Sequence, residues 1–307
     1  MITKVIPEEK ITAVLKLIKK SSKIVIVAHK RPDGDAIGST LALCNFLIGQ
    51  GKSATVILPD AIPSFHSGLP GAKDVVCFET QESEARALIN ESDLIFCLDF
   101  NFPSRIGALE APITESRAKK VLIDHHLNHG EFTDVIISHP EISSTCELIF
   151  RLICRMGYFP DMSLETAQCI CTGMLTDTGG LAFNSNSPEI YTIISELLKK
   201  GVDKDAIYRN AFNNYSESRM KLLGYVLYKK MRVLKEYHTA IITLTHDEML
   251  RFNYQPGDTE GFVNQPLSID HVFCSIFIKE EKDVIKLSFR SQGDMDVNIM
   301  TKELFGG

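Results

Sequence analysis

Three unbroken apolar runs, each followed at once by polar residues, most constrain how this chain can fold. They are residues 24–28, 94–98 and 121–123, and stretches with the spacing of amphipathic helices separate them. A strand that is buried on both faces reads as a continuous apolar run, whereas a half-exposed strand alternates. The pattern therefore predicts an α/β domain built on a parallel sheet with helices on both faces.

The residues that end these runs are all metal-competent. His29 follows the first run, Asp99 follows the second, and Asp124-His125-His126 follows the third. The carboxyl ends of parallel strands meet at one edge of a sheet, and α/β proteins bind their ligands there. We therefore expect these five side chains to surround one site.

The loop after the first run places His29, Asp33 and Asp35 within seven positions. Pro32 and Gly34 keep this loop irregular, and an amphipathic helix is predicted from residue 36 to residue 50. Imidazole and carboxylate groups are ligands suited to Mn, Zn or Fe. Taken alone, Asp35 fits a helix N-cap better than a metal ligand. The combination of three such residues behind a buried strand favours a metal site.

A later aspartate, Asp177, lies between two threonines and precedes Gly179 and Gly180. This pattern fits a simple turn and a metal ligand on a Gly-rich loop equally well. A polar loop is also predicted over residues 105–110. The helix predicted to begin near Ser144 has capping-box spacing with Glu147, and its hydroxyls are able to face the site.

The whole candidate set suits two divalent ions. Such a pair, ~3.5–4 Å apart, needs about this number of ligands, and it lowers the pKa of a bridging water while holding phosphate oxygens. Because carboxylates outnumber imidazoles, we expect Mn²⁺, with Mg²⁺ and Fe²⁺ as competitors. The candidates are His29, Asp33, Asp35, Asp99, Asp124, His125, His126 and Asp177.

These motifs resemble those of the DHH phosphoesterase family, in the family's order. The resemblance rests on residues 29–39, the strand that ends at Asp99, the triplet 124–126 and residues 176–179. Residues 260–264 and 287–291 resemble the DHH-associated C-terminal domain. Within the family, the chain is most similar to the short branch of bifunctional oligoribonucleases and 3'-phosphoadenosine-5'-phosphate phosphatases, the nanoRNases.

The resemblance implies a role for each site residue. His29 and Asp33 would hold one metal ion, Asp35 would hold the second, and Asp99 would bridge them. His125 and Asp177 would complete the shell of the second ion. His126 would act on the leaving-group side, and Asp124 would support the histidines as a hydrogen-bond acceptor.

The resemblance also implies substrate-binding residues in the second domain, namely Asn264, Arg290, Ser291, Gly306 and Gly307. Without the family, Arg290 reads as an ordinary surface arginine. Family members continue beyond the two glycines into a Gly-rich run with a phosphate-binding histidine. We therefore expect the second domain to be truncated at Gly307.

Patterning along the chain predicts two domains and a connection. Residues 1–187 form the metal-binding catalytic domain, residues 188–230 a helical linker, and residues 231–307 a smaller α/β domain with a mixed sheet. Residues 204–234 are predicted to be helical and show no strand pattern. A hairpin across residues 279–283 follows, and a last helix begins at residue 296.

Composition excludes several classes of partner. The net charge of −6 and the pI near 5.9 argue against binding to long duplex DNA, so a nucleic-acid substrate would be a short single strand or a nucleotide. Eight cysteines without a C-x-x-C pair fit the cytoplasm, where thiols stay reduced. Neither a signal peptide nor a membrane span is predicted, and the sequence leaves a homodimer open.

The leading hypothesis is a metal-dependent hydrolase that cleaves very short oligonucleotides, such as the linear dinucleotide pApA, and removes phosphate from 3',5'-bisphosphonucleotides. A manganese pyrophosphatase is the first alternative, although residues 238–307 lack an Arg-Lys-Lys cluster. A processive exonuclease would want more length and a basic channel. A catalytically inactive nucleotide sensor would be expected to have lost some of the candidate ligands.

Overall fold

The computed structural model describes residues 3–63, 66–255, 257–282, 284–293 and 295–305. The chain divides into two compact units, Met1–Asn214 and Tyr215–Gly307. The stretch predicted as a linker, 188–230, is therefore shared between them: its first two helices lie in the first unit and its last helix in the second.

The first unit contains a six-stranded parallel sheet, which confirms the predicted fold class. The strand order is β3-β2-β1-β4-β5-β6. The strands are β1 (Lys23–Val27), β2 (Ser53–Leu58), β3 (Val76–Cys77), β4 (Leu94–Leu98), β5 (Lys119–Asp124) and β6 (Val135–Ser138).

The strand order reverses beside β1, which pairs with β2 on one side and with β4 on the other. Val27 at the end of β1 lies opposite Ile57 of β2 and Cys97 of β4. After β1, the chain adds β2 and β3 on one side of it. The chain then crosses back and adds β4, β5 and β6 on the other side. This arrangement opens a crevice at the carboxyl ends of β1 and β4, where the loops diverge to opposite faces.

Both faces of the sheet are covered, and alternate residues of β1 show it. Ile24 and Ile26 pack into one buried apolar cluster, while Val25 and Val27 pack into another. The covering helices are α1 (Glu8–Lys20), α2 (Gly34–Gly49), α3 (Glu82–Glu91), α4 (Glu110–Glu115), α5 (Thr145–Arg155), α6 (Leu164–Asp177), α7 (Pro188–Lys199) and α8 (Lys204–Phe212).

One segment predicted as a polar loop is instead anchored. Short 3₁₀ turns span Pro103–Leu109, and Ile106 and Leu109 are fully buried against the second apolar cluster. Gly107 breaks the segment with φ 55° and ψ −125°, a backbone conformation that favours glycine. The two apolar side chains were too few to give a helical periodicity, but they fix the position of this segment.

Helices α2 and α6 approach each other through glycines. A Cβ built on Gly34 would lie 2.3 Å from Oγ1 of Thr176, and one on Gly38 would lie 2.7 Å from the carbonyl oxygen of Cys169. Larger residues at these positions would separate the helices. The close contact brings the start of α2, with Asp33 and Asp35, next to the end of α6.

The second unit has a four-stranded mixed sheet of order β10-β9-β8-β7, in which only β8 and β9 run parallel. The predicted hairpin is present as β9 and β10. The prediction that residues 232–234 are helical is wrong, because they form β7 against β8. The elements are α9 (Glu217–Tyr225), a π-helical turn (Val226–Lys230), β7 (Arg232–Leu234), β8 (Thr239–Leu244), α10 (His246–Arg251), β9 (Cys274–Glu280), β10 (Ile285–Ser291) and α11 (Val297–Phe305).

In the described part of the chain, no helix combines the length and the apolar character needed to cross a lipid bilayer.

Candidate metal centre

The two aspartates of the first loop have different roles, which the sequence alone did not distinguish. Asp33, and not Asp35, caps α2: its Oδ1 accepts hydrogen bonds from the backbone N–H groups of Asp35 and Ala36 at 3.0 and 3.1 Å. The side chain of Asp33 remains 62% exposed. Asp35 lies in the first turn of α2 and is 1% exposed. The alternative interpretation of Asp35, as the helix N-cap, is therefore wrong.

Asp35 is held by the start of another helix. The backbone N–H groups of Thr145 and Cys146 donate to its two carboxylate oxygens at 2.6 and 2.9 Å. These are the first N–H groups of α5, which have no partner within their own helix. Ser144 caps α5 as predicted, by accepting from the N–H of Glu147.

Asp99 follows β4 with a left-handed backbone, φ 61°. Its N–H still donates to the carbonyl of Ile123 at 3.1 Å, so the sheet ladder continues to this residue. The left-handed turn is costly for a residue with a side chain. It directs the buried carboxylate across the crevice, where the Oγ1 hydroxyl of Thr145 donates to Oδ1 at 2.9 Å.

The histidine rings are oriented by backbone carbonyls. Nδ1 of His29 lies 2.9 Å from the carbonyl oxygen of Lys30, and Nδ1 of His125 lies 3.3 Å from that of Ile142. A carbonyl only accepts hydrogen bonds, so the proton of each neutral ring is on Nδ1. In that neutral form, each Nε2 presents a lone pair to the crevice, and this is the form in which imidazole binds metals.

Three groups of donor atoms converge at the crevice, and in each group the ligand atoms lie within 4.8 Å of one another. Nε2 of His29 is 3.5 Å from Asp99 Oδ2, and Nε2 of His125 is 3.6 Å from Asp99 Oδ1. The two oxygens of Asp99 thus face different histidines. The groups are His29 with Asp33 and Asp99, Asp35 with His125 and Asp177, and Asp99 with His125 and His126.

Asp177 reaches this site from the last residue of α6, and its Oδ2 lies 3.6 Å from Nε2 of His125. Both interpretations drawn from the sequence placed Asp177 in a turn or a loop. Both are wrong about its backbone conformation, which is helical. The helix continues to Asp177 because Gly179 and Gly180, with positive φ, end it only afterwards.

The charges of these groups are strongly coupled. Burial, together with the charges of Asp99 and Asp177, raises the pKa of Asp35. Burial also raises the pKa of Asp177 to about 6. Despite burial, hydrogen bonding to Asp33 and Asp99 raises the pKa of His29 to about 10, and His29 in turn lowers the pKa of Asp99 to about 2.

The donor set fits divalent cations. Four carboxylates surround Nε2 of His29 and Nε2 of His125, and burial raises the pKa of Asp35 and of Asp177. A bound cation would add positive charge at this crevice and displace the protons, including the one on Nε2 of His29. The mixture of carboxylate oxygens and imidazole nitrogens suits manganese or iron better than calcium.

His126 and Asp124 form a separate pair beside this set. Nδ1 of His126 donates to Oδ1 of the fully buried Asp124 at 2.7 Å, and this hydrogen bond raises the pKa of His126. Oδ2 of Asp124 is buried and has no hydrogen-bond partner in the described structure. The side chain of His126 is partly exposed, and its Nδ1 also lies 3.8 Å from Oδ1 of Asp99.

Two residues near the site, Arg105 and His66, were missed by sequence reasoning. Thr145 belongs to the helix start whose hydroxyls were considered able to face the site, and its hydroxyl donates to Asp99. Arg105 lies close enough for its charge to oppose protonation of His126, and its carbonyl accepts from the N–H of Lys30 at 2.8 Å. Burial lowers the pKa of His66, on the loop after β2, to about 4, opposed by the nearby charge of Asp33. Thr145 alone had a detectable signal, the hydroxyl-rich start of α5.

The predicted substrate-binding residues belong to the second unit. Arg290 is exposed on β10 opposite Ser275, and its side chain donates to the carbonyl of Phe289. Ser291 ends β10, and its hydroxyl donates to the carbonyl of Met295. Asn264 is exposed on the 3₁₀ turn Phe262–Ser268. Gly306 and Gly307 lie outside the described residues.

The fold and the site define a protein of the phosphoesterase class built around a metal-competent crevice. Residues 23–174 match the "DHH family, N-terminal domain", and the chain belongs to the DHH family. The match covers the first unit from β1 to α6, which includes every candidate ligand except Asp177.

Two curated relatives align with nearly the whole chain. A "bifunctional oligoribonuclease and PAP phosphatase NrnA" of Thermus thermophilus is 28% identical over 300 residues, which cover 97% of this chain and 86% of that protein. A "cyclic-di-AMP phosphodiesterase GdpP" of Geobacillus thermodenitrificans is 25% identical over 96% of this chain, but the alignment covers only 44% of that protein.

Two solved structures are similar. An "exopolyphosphatase-related protein" of Bacteroides fragilis has a TM-score of 0.97 and 52% identity, with coverage of 100% of this chain and 90% of that one. The exonuclease RecJ bound to manganese has a TM-score of 0.54 at 13% identity, covering 98% of this chain and 87% of that one. The second likeness supports the fold alone.

Proposed function

We propose that this protein hydrolyses phosphoesters of very short oligonucleotides, including linear dinucleotides such as pApA, and also the 3'-phosphate of 3',5'-bisphosphonucleotides. The observation that carries the proposal is the convergence of three donor groups at one crevice, where Asp99 belongs to two of the groups and its two oxygens face different histidines. The similarity to NrnA over 97% of this chain supports the choice of substrate class.

Two divalent ions, with Mn²⁺ favoured, would be held by the residues at this crevice. His29 and Asp33 would hold one ion, Asp35, His125 and Asp177 the other, and Asp99 would bridge them. When bound, such ions activate a water and neutralise phosphate charge.

His126 would supply the proton that the leaving group needs. Its Nδ1–H is committed to Asp124 at 2.7 Å, so a second proton would reside on Nε2. The hydrogen bond to Asp124 raises the pKa of His126 and so favours the protonated form. When the oxygen of water bonds to phosphorus and the ester P–O bond breaks, the Nε2 proton passes to the departing oxygen. The attacking water releases one proton to solvent, and His126 regains one from solvent.

Arg105 would contact the phosphate itself. Its side chain is exposed at the rim of the first unit, and its backbone is tied to Lys30 next to His29. A guanidinium binds phosphate oxygens through paired N–H groups. Asn264, Arg290 and Ser291, in the second unit, stay candidates for substrate binding. The net charge of −6 favours short substrates over long nucleic acids.

The decisive experiment offers four substrates in parallel with Mn²⁺: pApA, 3'-phosphoadenosine-5'-phosphate, inorganic pyrophosphate and cyclic di-AMP. We expect AMP from the first two. Asp99→Ala should abolish turnover, whereas Asp161→Ala, an exposed aspartate before α6, should leave it unchanged.

Other outcomes would redirect the assignment. Phosphate released from pyrophosphate alone would favour a pyrophosphatase, and turnover of cyclic di-AMP alone would favour a GdpP-like activity. Metal binding without turnover of any substrate would favour a nucleotide sensor. Near-normal activity of Asp99→Ala would refute the proposed use of the crevice.

A further inference from the structure

The amino end of α5 lies directly against two carboxylates of the crevice. The N–H groups of Thr145 and Cys146 donate to Asp35, and the hydroxyl of Thr145 donates to Oδ1 of Asp99 at 2.9 Å. One residue therefore contacts the carboxylates of two strand-to-helix loops that are distant in sequence.

These hydrogen bonds restrict how both carboxylates can turn. Each oxygen of Asp35 accepts one backbone N–H, which leaves its remaining lone pairs for the crevice. Oδ1 of Asp99 accepts the Thr145 hydroxyl, while Oδ2 faces His29 at 3.5 Å. A carboxylate free to rotate about its terminal bond would present either oxygen to either histidine.

A buried network keeps the start of α5 in place. Oε2 of Glu147 accepts from the hydroxyl of Ser143 at 2.5 Å and from its N–H at 3.2 Å. Arg151 donates to Oε1 of Glu147 at 2.9 and 2.6 Å, and to Glu189 of α7 at 2.6 Å. The position of Thr145 is therefore set by the body of the first unit and not by the crevice itself.

We propose that Thr145 is a positioning residue for Asp99, which tunes the affinity of the crevice for divalent metal through a single hydroxyl hydrogen bond. The inference rests on the metal centre of the proposed function and adds a residue to it. Groups that orient metal ligands typically change metal affinity by 10–100-fold when they are removed. Thr145 is fully buried, so water does not replace its hydroxyl.

The test compares three variants of the full chain. Thr145→Val keeps the shape and removes the hydroxyl, Thr145→Ser keeps the hydroxyl, and Thr172→Val removes another buried hydroxyl. That of Thr172 donates to the carbonyl of Gln168 within α6. Mn²⁺ affinity is measured by titration calorimetry after chelator treatment, with thermal melting followed without metal.

We expect Thr145→Val to bind Mn²⁺ at least ~10-fold more weakly than the wild type. Thr145→Ser and Thr172→Val should bind within about twofold of it. Equal affinity of Thr145→Val and wild type would overturn the inference. So would equal weakening by the two valine variants, or by Thr145→Val and Thr145→Ser, since either result would indicate general damage.

Turnover of pApA by the wild type, measured separately, distinguishes this inference from the proposed function. If the wild type is active and Thr145→Val binds metal normally, only the positioning role fails. If the variants differ in Mn²⁺ affinity as expected but no substrate is turned over, the proposed function fails and the positioning role stands.

Discussion

Replacing Gly173 by alanine would place a methyl group between α6, α5 and the Asp35 carboxylate. The new Cβ would lie 2.1 Å from Sγ of Cys146 and 2.8 Å from Oδ1 of Asp35. Ordinary contacts of a Cβ begin near 3.4 Å. The sulfur of Cys146 alone would therefore have to move away from the new Cβ by about 1.3 Å. Interiors packed at crystal-like density do not absorb such a shift freely.

Two terms of opposite sign decide the stability of Gly173→Ala. Overpacking a core costs about 1–3 kcal/mol, whereas exchanging glycine for alanine within a helix gains about 1 kcal/mol. The severity of the 2.1 Å contact places the cost at the upper end. We therefore expect a net loss of about 2 kcal/mol, which lowers the melting temperature of the first unit by about 4–8 °C.

Metal binding provides the sharper assay, because the methyl group would also displace Asp35. Calorimetry should show weaker Mn²⁺ binding by Gly173→Ala. Adding Cys146→Ala removes the sulfur and should recover stability, but not the metal affinity, because Asp35 would still be crowded at 2.8 Å. Gly224→Ala, in α9 with no atom within 4 Å of its Cβ, is the matched control. Wild-type melting and wild-type Mn²⁺ affinity of Gly173→Ala would refute the reasoning.

Three further predictions concern charge. Arg151→Met leaves the buried Glu147 unpaired and should lower the free energy of unfolding in urea by about 3–5 kcal/mol; a loss below 1 kcal/mol would contradict this. Lys230 helps to lower the pKa of Glu248 to about 2, so its stabilising effect is present above the unfolded pKa of ~4.3 and is lost as pH falls towards 2. Glu248→Gln should therefore reduce the change in the free energy of unfolding between pH 4.5 and 2 by about 1 kcal/mol, a value already lowered for solvent screening. An unchanged pH profile would contradict this prediction. Finally, Mn²⁺ should raise the melting temperature of the wild type, a chelator should reverse this, and Asp177→Asn should reduce the gain; equal gains in both proteins would place the ion elsewhere.

Much of the fold could be predicted because strands buried on both faces leave a direct trace in sequence. The runs that became β1, β4 and β5 have that character, and the polar residues at their ends mark the functional edge of the sheet. The elements that were missed are short. Residues 135–138 and 232–234 form strands of four and three residues, which are too brief to show a periodicity.

The sequence by itself determined which candidate metal ligands are present and at which edge of the sheet they lie. His29, Asp99 and His125 end parallel strands or follow them, and the geometry of a parallel sheet brings those ends together. The tertiary structure decided which carboxylate serves which purpose. Asp33 and Asp35 are two residues apart and chemically identical, but only Asp35 meets the free N–H groups of α5, a helix that begins 110 residues later. Local sequence contains no trace of that contact, because it depends on how α2, α5 and α6 pack.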